Sequence, residues 1–204
     1  SDRGYAYEGT YVGIAPQFGA TLDGVTFDGE TLYKEIGGTE ASILPKLDTR
    51  NAWRGLVGFR SEPMALEFSY DRRPHGGTFG NLTVDSVFQA INVDARFFFR
   101  TKQRIQPHAV IGIAFPWLTV KDGSYSNFDS PTSLVGNSRW RGTGLNTEVG
   151  ITAFLSPRMG VSLGYAYRPI WFTTERGVGE RTFELRPRFR ESSANATVML
   201  FTTF

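Results

Sequence analysis

The chain has 204 residues, with 23 Gly, 17 Phe, 8 Tyr, 4 Trp and no Cys; 40% of it is hydrophobic, 21% is charged, and its formal net charge is +2. The missing Cys excludes a disulfide scaffold, a thiolate metal site and a Cys nucleophile, and so small a net charge gives no footprint for nucleic acid. No run approaches the ~18 apolar residues that a membrane helix needs, and Gly and aromatic residues together suit many-stranded β structure better than helices.

Strict apolar alternation, the mark of strands with two unlike faces, recurs from one end to the other. In the first run Val12, Ile14, Pro16 and Phe18 alternate with Tyr11, Gly13, Ala15 and Gln17. A shorter run sets Trp53, Val57 and Phe59 against Arg54, Leu56, Gly58 and Arg60. Next, Met64, Leu66, Phe68 and Tyr70 alternate with Ala65, Glu67, Ser69 and Asp71, and Ile91, Val93, Ala95, Phe97 and Phe99 with Asn92, Asp94, Arg96 and Phe98. Ala109, Ile111, Ile113, Phe115 and Trp117 follow, then Leu145, Thr147, Val149, Ile151, Ala153 and Leu155 against Gly144, Asn146, Glu148 and Gly150. The last two runs carry Val161, Leu163, Tyr165, Tyr167 and Trp171, and then Ala196, Val198, Leu200 and Phe204. That makes about eight strands. Tight turns are predicted at 61–63, 101–104 and 156–159, and long polar connections over 23–50, 73–85, 121–138 and 173–191. Short and long connections alternate, as in barrels with short periplasmic turns and long extracellular loops.

The polar face decides what the apolar face touches. It carries Arg54, Arg60, Glu67, Asp71, Asp94, Arg96, Glu148 and Arg168 among Gly and Ala. Small residues beside opposite charges fit a narrow lumen in which charges must pair. The apolar face then meets lipid, and Tyr11, Trp53, Phe99, Trp117, Trp171 and Phe204 fall toward strand ends as interfacial girdles. The expected fold is an all-β, antiparallel up-and-down transmembrane barrel over residues 1–204 as one domain, integral to a bacterial outer membrane, with both termini periplasmic.

The sequence resembles the small eight-stranded outer-membrane barrels of Gram-negative bacteria, the OmpA-like, OmpX-like and opacity-type porin family. The segments that carry this are Gly9-Thr10-Tyr11-Val12-Gly13-Ile14, Pro107-His108-Ala109-Val110-Ile111-Gly112 and Leu155-Ser156-Pro157-Arg158-Met159. Phe204, in phase with Val198 and Leu200, is similar to the signal read by the barrel-assembly machinery; Thr202 departs from it, where the family often has an aromatic residue. Ser1, opening directly on polar residues, is expected to follow a signal peptide that has been removed or to start a chain made without one. It is specific for architecture and open on function, since related barrels are adhesins, anchors, narrow channels and enzymes.

Three readings of the sites follow. The lumen charges form a structural network or, alternatively, line a narrow pore for ions or small hydrophobic molecules. Arg139 and Arg141, and Arg186, Arg188 and Arg190, sit just above the apolar belt, where guanidinium groups suit lipopolysaccharide phosphates. A lipid A-modifying enzyme would need Ser, His and an acid at the outer leaflet; His108 is expected near a periplasmic turn, and His75 with Asp85-Ser86 makes only a partial match. No catalytic residue, cofactor or metal is assigned, Asp122 and Asp129 lacking ligand spacing. The apolar residues in 23–50 point to a protein partner at the loops or to a cap over the barrel mouth. The leading reading is a non-enzymatic barrel that displays loops for adhesion, partner docking or envelope integrity.

Overall fold

The computed structural model describes residues 8–23, 26–27, 30–34, 41–44, 46–49, 51–79, 82–121, 138–176, 181–182 and 189–203. Eight long strands carry the architecture: β1 (Gly9–Asp23), β2 (Ala52–Ser61), β3 (Met64–Phe79), β4 (Leu82–Phe98), β5 (Ile105–Lys121), β6 (Ser138–Ser156), β7 (Met159–Arg176) and β8 (Phe189–Thr203). Each pairs antiparallel with its neighbours in the chain, and β1 pairs with β8 from Gly9↔Thr203 to Asp23↔Arg190. The sheet thus closes into an up-and-down barrel, and closure satisfies the backbone of both end strands.

The inside–outside alternation runs as the sequence pattern leads one to expect. Val12, Ile14, Val57, Phe68, Ile91, Ile111, Ile113, Leu145, Val149, Leu163 and Val198 are all exposed, Val149 by 64%. The residues between them are buried, or half-buried at Gly13, Gly112, Gly150 and Gly164, and the β2 pattern from Ala52 to Ser61 is a near-perfect alternation. An exterior this apolar and continuous is unstable in water and stable in hydrocarbon.

Two expectations need correction. The long connection expected over 73–85 is not there: β3 runs to Phe79 and β4 starts at Leu82, paired from Met64↔Phe97 to Phe79↔Leu82. The pattern missed this because above the belt the residues are polar or Gly (Arg73, His75, Gly76, Gly77, Thr83, Asp85) and no longer alternate in hydropathy. The 23–50 stretch also holds strand pairing. Lys46–Thr49 pairs with β3 from Lys46↔Thr78 to Thr49↔His75, and Thr26–Phe27, Glu30–Lys34 and Ala41–Leu44 form a separate three-stranded sheet.

At the opposite end the connections are short, and side chains and backbone lock them. Phe98 N donates to Pro63 O (2.8 Å), Phe154 N to Arg104 O (2.9 Å) and Phe201 N to Arg158 O (2.8 Å). Buried Gln106 donates from Nε2 to the carbonyls of Thr101 (2.7 Å) and Gln103 (3.0 Å). These bonds tie each turn to the next strand around the rim.

A charge placed on the exterior tests which solvent the belt meets. Ile111 and Ile105 are equally exposed, at 59% and 56%, but Ile111 lies mid-belt and Ile105 at the turn end. Ile111→Arg is expected to lower unfolding stability in lipid vesicles by about 2–4 kcal/mol and Ile105→Arg by about 0–1 kcal/mol. Equal costs in a urea titration would show that the exterior does not cross a bilayer.

Candidate functional site

The lumen is filled in three layers, each fixed by the register of the strands around it. At the turn end Tyr11, Leu56, Ala65, Phe98, Phe154, Met199 and Phe201 form a buried apolar plug. The Phe201 ring stacks 4.9 Å from Tyr11 and 5.3 Å from Phe154. Arg60 lies on top of the plug, its guanidinium 4.0 Å from the centre of the Phe98 ring and its Nη2 donating to Gln106 Oε1 at 2.8 Å. A cation over an aromatic face is stabilised even where water is absent.

Above it is an ionic layer with four arginines, Arg54, Arg73, Arg96 and Arg168, and four carboxylates, Glu67, Asp71, Asp94 and Glu148, all buried. Arg54 and Asp71 are register partners on β2 and β3, and their contact is two-pronged, Nε to Oδ1 at 2.6 Å and Nη2 to Oδ2 at 3.2 Å. Arg168, from β7 on the far wall, reaches the same carboxylate at 2.7 Å, and Arg73 approaches it at 3.6 Å. Arg96 grips Glu67 at 2.7 and 3.1 Å, and the Tyr11 hydroxyl donates to that carboxylate. Glu148 joins the two halves. It accepts from Arg96 (3.3 Å) and Asn195 (2.8 Å), with His108 Nε2 at 3.2 Å and Arg54 at 3.7 Å. Asp94 accepts from Asn146 at 2.7 Å, and Asn146 in turn accepts from Arg168 at 2.5 Å.

Such a layer is stable only when each charge is met by several partners, because a buried ion loses its hydration. Asp71 and Glu148 meet that condition from opposite walls of the barrel. Glycines give these groups room: a Cβ at Gly164 would lie 2.7 Å from Glu148 Oε1, and one at Gly58 would overlap the Tyr11 ring. A cavity of about 10 Å³ beside Arg54, Asp94, Asn146, Glu148 and Arg168 has room for about one water. The third layer, toward the loop end, is mixed: Phe88, Leu118, Val120, Trp140, Ile170 and Phe172 are buried beside Gln17, His75 and Ser86, and Arg73, whose Nε donates to Gln17 Oε1 at 2.8 Å, lies 5.7 Å from the Phe88 ring centre.

The structure thus places Arg54, Glu67, Asp71, Asp94, Arg96, Glu148 and Arg168 in one layer and sets Arg60 below it. Tyr11, read from the sequence as a girdle residue, faces inward, 1% exposed and bonded to Glu67. It holds the inward phase of Gly13, Ala15 and Gln17 and cannot reach lipid. Trp53 and Phe99 do face outward, at 41% and 54% exposure, and Trp117 and Trp171 are half-buried on the outer face. Phe204 lies outside the described residues, as do Arg186, Arg188, Asp122 and Asp129, and Arg190 is described only by its backbone pairing with Asp23 and Pro169. Arg139 and Arg141 are exposed on β6.

Sequence reasoning missed His108, Asn146, Asn195, Arg73 and Tyr11 as members of the lumen network. The inward phase of His108, Asn146, Asn195 and Tyr11 was legible, whereas Arg73 fell in the stretch read as a loop, and which of them meet depends on contacts across the barrel. It also missed the apolar plug, although Phe98 and Phe154 lie in the inward phase. The partial match at His75 does not assemble: His75 and Ser86 are buried inward while Asp85 is exposed on the other face of the sheet, and the Ser86 hydroxyl donates to the His75 backbone carbonyl at 3.4 Å.

Solved structures align with nearly the whole chain. Neisserial surface protein A matches with a TM-score of 0.57 at 15% identity, over 95% of this chain and 97% of that one. The outer-membrane protein OprG of Pseudomonas aeruginosa gives 0.54 at 13%, over 97% and 95%. The fold is that of the small outer-membrane β-barrels. The N-terminal barrel domain of Pseudomonas aeruginosa OprF gives 0.51 at 12%, over 95% and 98%. No family model and no curated protein matches the sequence.

Removing one hub carboxylate tests whether the ionic layer is dry. Asp71→Asn leaves the Arg54 and Arg168 guanidinium groups without their shared counter-charge and is expected to cost about 3–5 kcal/mol. Lys102→Gln, on an exposed turn, should stay within about 0.5 kcal/mol. Urea unfolding in vesicles measures both; an Asp71→Asn loss below about 1 kcal/mol would mean a hydrated lumen.

Proposed function

We propose that the chain is a non-enzymatic, integral outer-membrane barrel whose contacts with the outside are made by its loops and its rim. The loops serve adhesion, partner docking or envelope integrity. The observation that supports this reading is the lumen: among the described residues it is filled by an apolar plug at the turn end, a paired ionic layer above it and a layer of aromatic and polar side chains toward the loops. The split of His75 and Ser86 from Asp85 supports the non-enzymatic reading. In this reading the apolar exterior sits in lipid, the short turns and both termini are periplasmic, and Phe204 engages the barrel-assembly machinery. Arg139 and Arg141, with Arg186, Arg188 and Arg190 as further contributors, meet lipopolysaccharide phosphates at the outer boundary. The narrow-channel reading would require the Asp71 and Glu148 hubs to part, which removes a carboxylate from several partners at once.

Two measurements test this. In planar bilayers at low salt the purified protein is expected to give no discrete conductance steps; steady unitary currents would favour the channel. Because the sequence has no Cys, a single introduced thiol reports alone. On intact cells an impermeant maleimide should label Asn127→Cys and leave Lys102→Cys unmodified, and the reverse labelling would overturn the orientation.

A further inference from the structure

Between β5 and β6 the ladder lacks two pairs at one height, with the register unchanged on either side. The register runs Arg139↔Thr119, Trp140↔Leu118 and Arg141↔Trp117 and resumes only at Gly144↔Ala114. Pro116 sits in the gap and has no amide hydrogen to give the ladder. On the other side of β6, Thr173 is an extra residue between the pairs Arg141↔Thr174 and Gly142↔Phe172, a bulge that re-aims the neighbouring side chains. Gly142 is required there, since a Cβ would meet the Trp171 carbonyl and, at 2.7 Å, the Phe172 Cα. The result is a notch of about 540 Å³ on the outer face, floored by Pro116 and Gly142, walled by Phe115 and Trp117, and rimmed by Arg139 and Arg141.

The wall of this notch is held in place. Trp117 Nε1 donates to Gln89 Oε1 at 3.0 Å, and Gln89 Nε2 donates to the Tyr70 hydroxyl at 2.5 Å. Tyr70 stacks 6.3 Å from Trp117 and 5.7 Å from Trp53. The same register sets a row across neighbouring strands, Trp53↔Arg72, Arg72↔Gln89, Gln89↔Trp117 and Trp117↔Arg141. Arg72 is exposed on this outer face, and Arg176 stands opposite Arg139 on β7. Among the described residues neither Arg139 nor Arg141 has an ion-pair partner. Arg139 and Arg141 stand two residues apart on one exposed face of β6 and repel one another, so an anion between them is favoured. Directly below the notch the exterior of β5 is apolar through Phe115, Ile113 and Ile111.

We propose that this notch seats the phosphorylated headgroup of a lipid from the surrounding leaflet. The Arg139 and Arg141 guanidinium groups take the phosphate oxygens, a planar two-pronged contact that suits them. Phe115 and Trp117 take the first carbons of the lipid chains, which continue down the apolar face of β5. The charge calls for an anion, and the aromatic wall and apolar runway beneath it select one carrying hydrocarbon over a free anion. This inference rests on the placement of the barrel in lipid and sharpens it from a general boundary contact to a site for one molecule.

Native mass spectrometry of the full chain in detergent tests it, with bis-phosphorylated lipid A, fully dephosphorylated lipid A and inorganic phosphate as probes. The unmodified chain is expected to retain one bis-phosphorylated lipid A and neither of the other two. Arg139→Gln with Arg141→Gln should weaken that retention by about tenfold or more, while Lys102→Gln with Arg158→Gln at the turn end leaves it unchanged. The comparison of the two lipid A forms needs no variant, so it decides the question even if the double variant fails to fold. Equal retention of both forms, or full retention by the folded double variant, overturns the site. Retention of inorganic phosphate as strong as that of lipid A reassigns the notch to free anions and overturns the lipid. A barrel that conducts yet still holds lipid A would defeat the loop-display reading alone; a silent barrel that holds none would defeat the notch alone.

Discussion

Eight strands closed at their natural stagger leave a lumen wide enough for side chains and no wider, and the rest of the molecule follows from that limit. An inward side chain has little water to solvate it, so it must meet a partner on a neighbouring or facing strand or be apolar. Arg168 of β7 on Asp71 of β3, and Glu148 of β6 near Arg54 of β2, are contacts between strands half a barrel apart. They exist because the walls are close enough for one side chain to span. The same limit explains glycines opposite large groups, Gly58 against Tyr11 and Gly164 against Glu148.

The layers support one another. The apolar plug at the turn end and the bulky aromatic side chains toward the loops limit the water around the charges between them, and exclusion of water strengthens each charge-assisted hydrogen bond. In return the ionic layer specifies register. Shifting β3 by one residue against β2 would turn Asp71 to lipid and Tyr70 to the lumen, because the side-chain period is two. A belt of aliphatic residues alone would tolerate such a slip, since one apolar side chain serves lipid as well as another. The lumen charges supply the discrimination that the exterior lacks.

This division explains what could be read from the sequence. The strands in the belt were legible because lipid imposes a strict two-residue period; from Met64 to Tyr70 and from Ile91 to Phe97 the expectation and the structure coincide. Above the belt that pressure ends, both faces turn polar, and the upper halves of β3 and β4 read as loop although their ladder continues to Phe79↔Leu82. Tyr11 was misplaced for a related reason: an aromatic residue near a strand end fits a girdle by composition, and only its phase, shared with Gly13 and Ala15, sends it inward. The lumen charges were legible as a set, but not their pairing. That Arg96 meets Glu67 and Glu148 while Arg60 lies on Phe98 depends on strand stagger, which no single strand encodes.

Charge placement separates what the chain completes by itself from what it leaves to its surroundings. Inside, Arg54, Arg73, Arg96 and Arg168 meet Glu67, Asp71 and Glu148, and a fifth buried arginine, Arg60, lies over the Phe98 ring and donates to Gln106, because a buried guanidinium must find its partners within the chain. At the boundary of the belt that requirement lapses, since phosphate, water and salt are all within reach. Arg139 and Arg141 stand there without an acid among the described residues, on a strand that elsewhere buries Glu148 among several partners. Solubility alone would be served by Lys or Glu at any height. The guanidinium groups around the notch of Pro116 and Gly142, beside a Trp117 ring held by Gln89, are the contrast on which the proposed lipid site rests. One strand thus carries both kinds of charge: Glu148, met in the lumen by Arg96, Arg54 and Asn195, and Arg139 and Arg141, open at the rim.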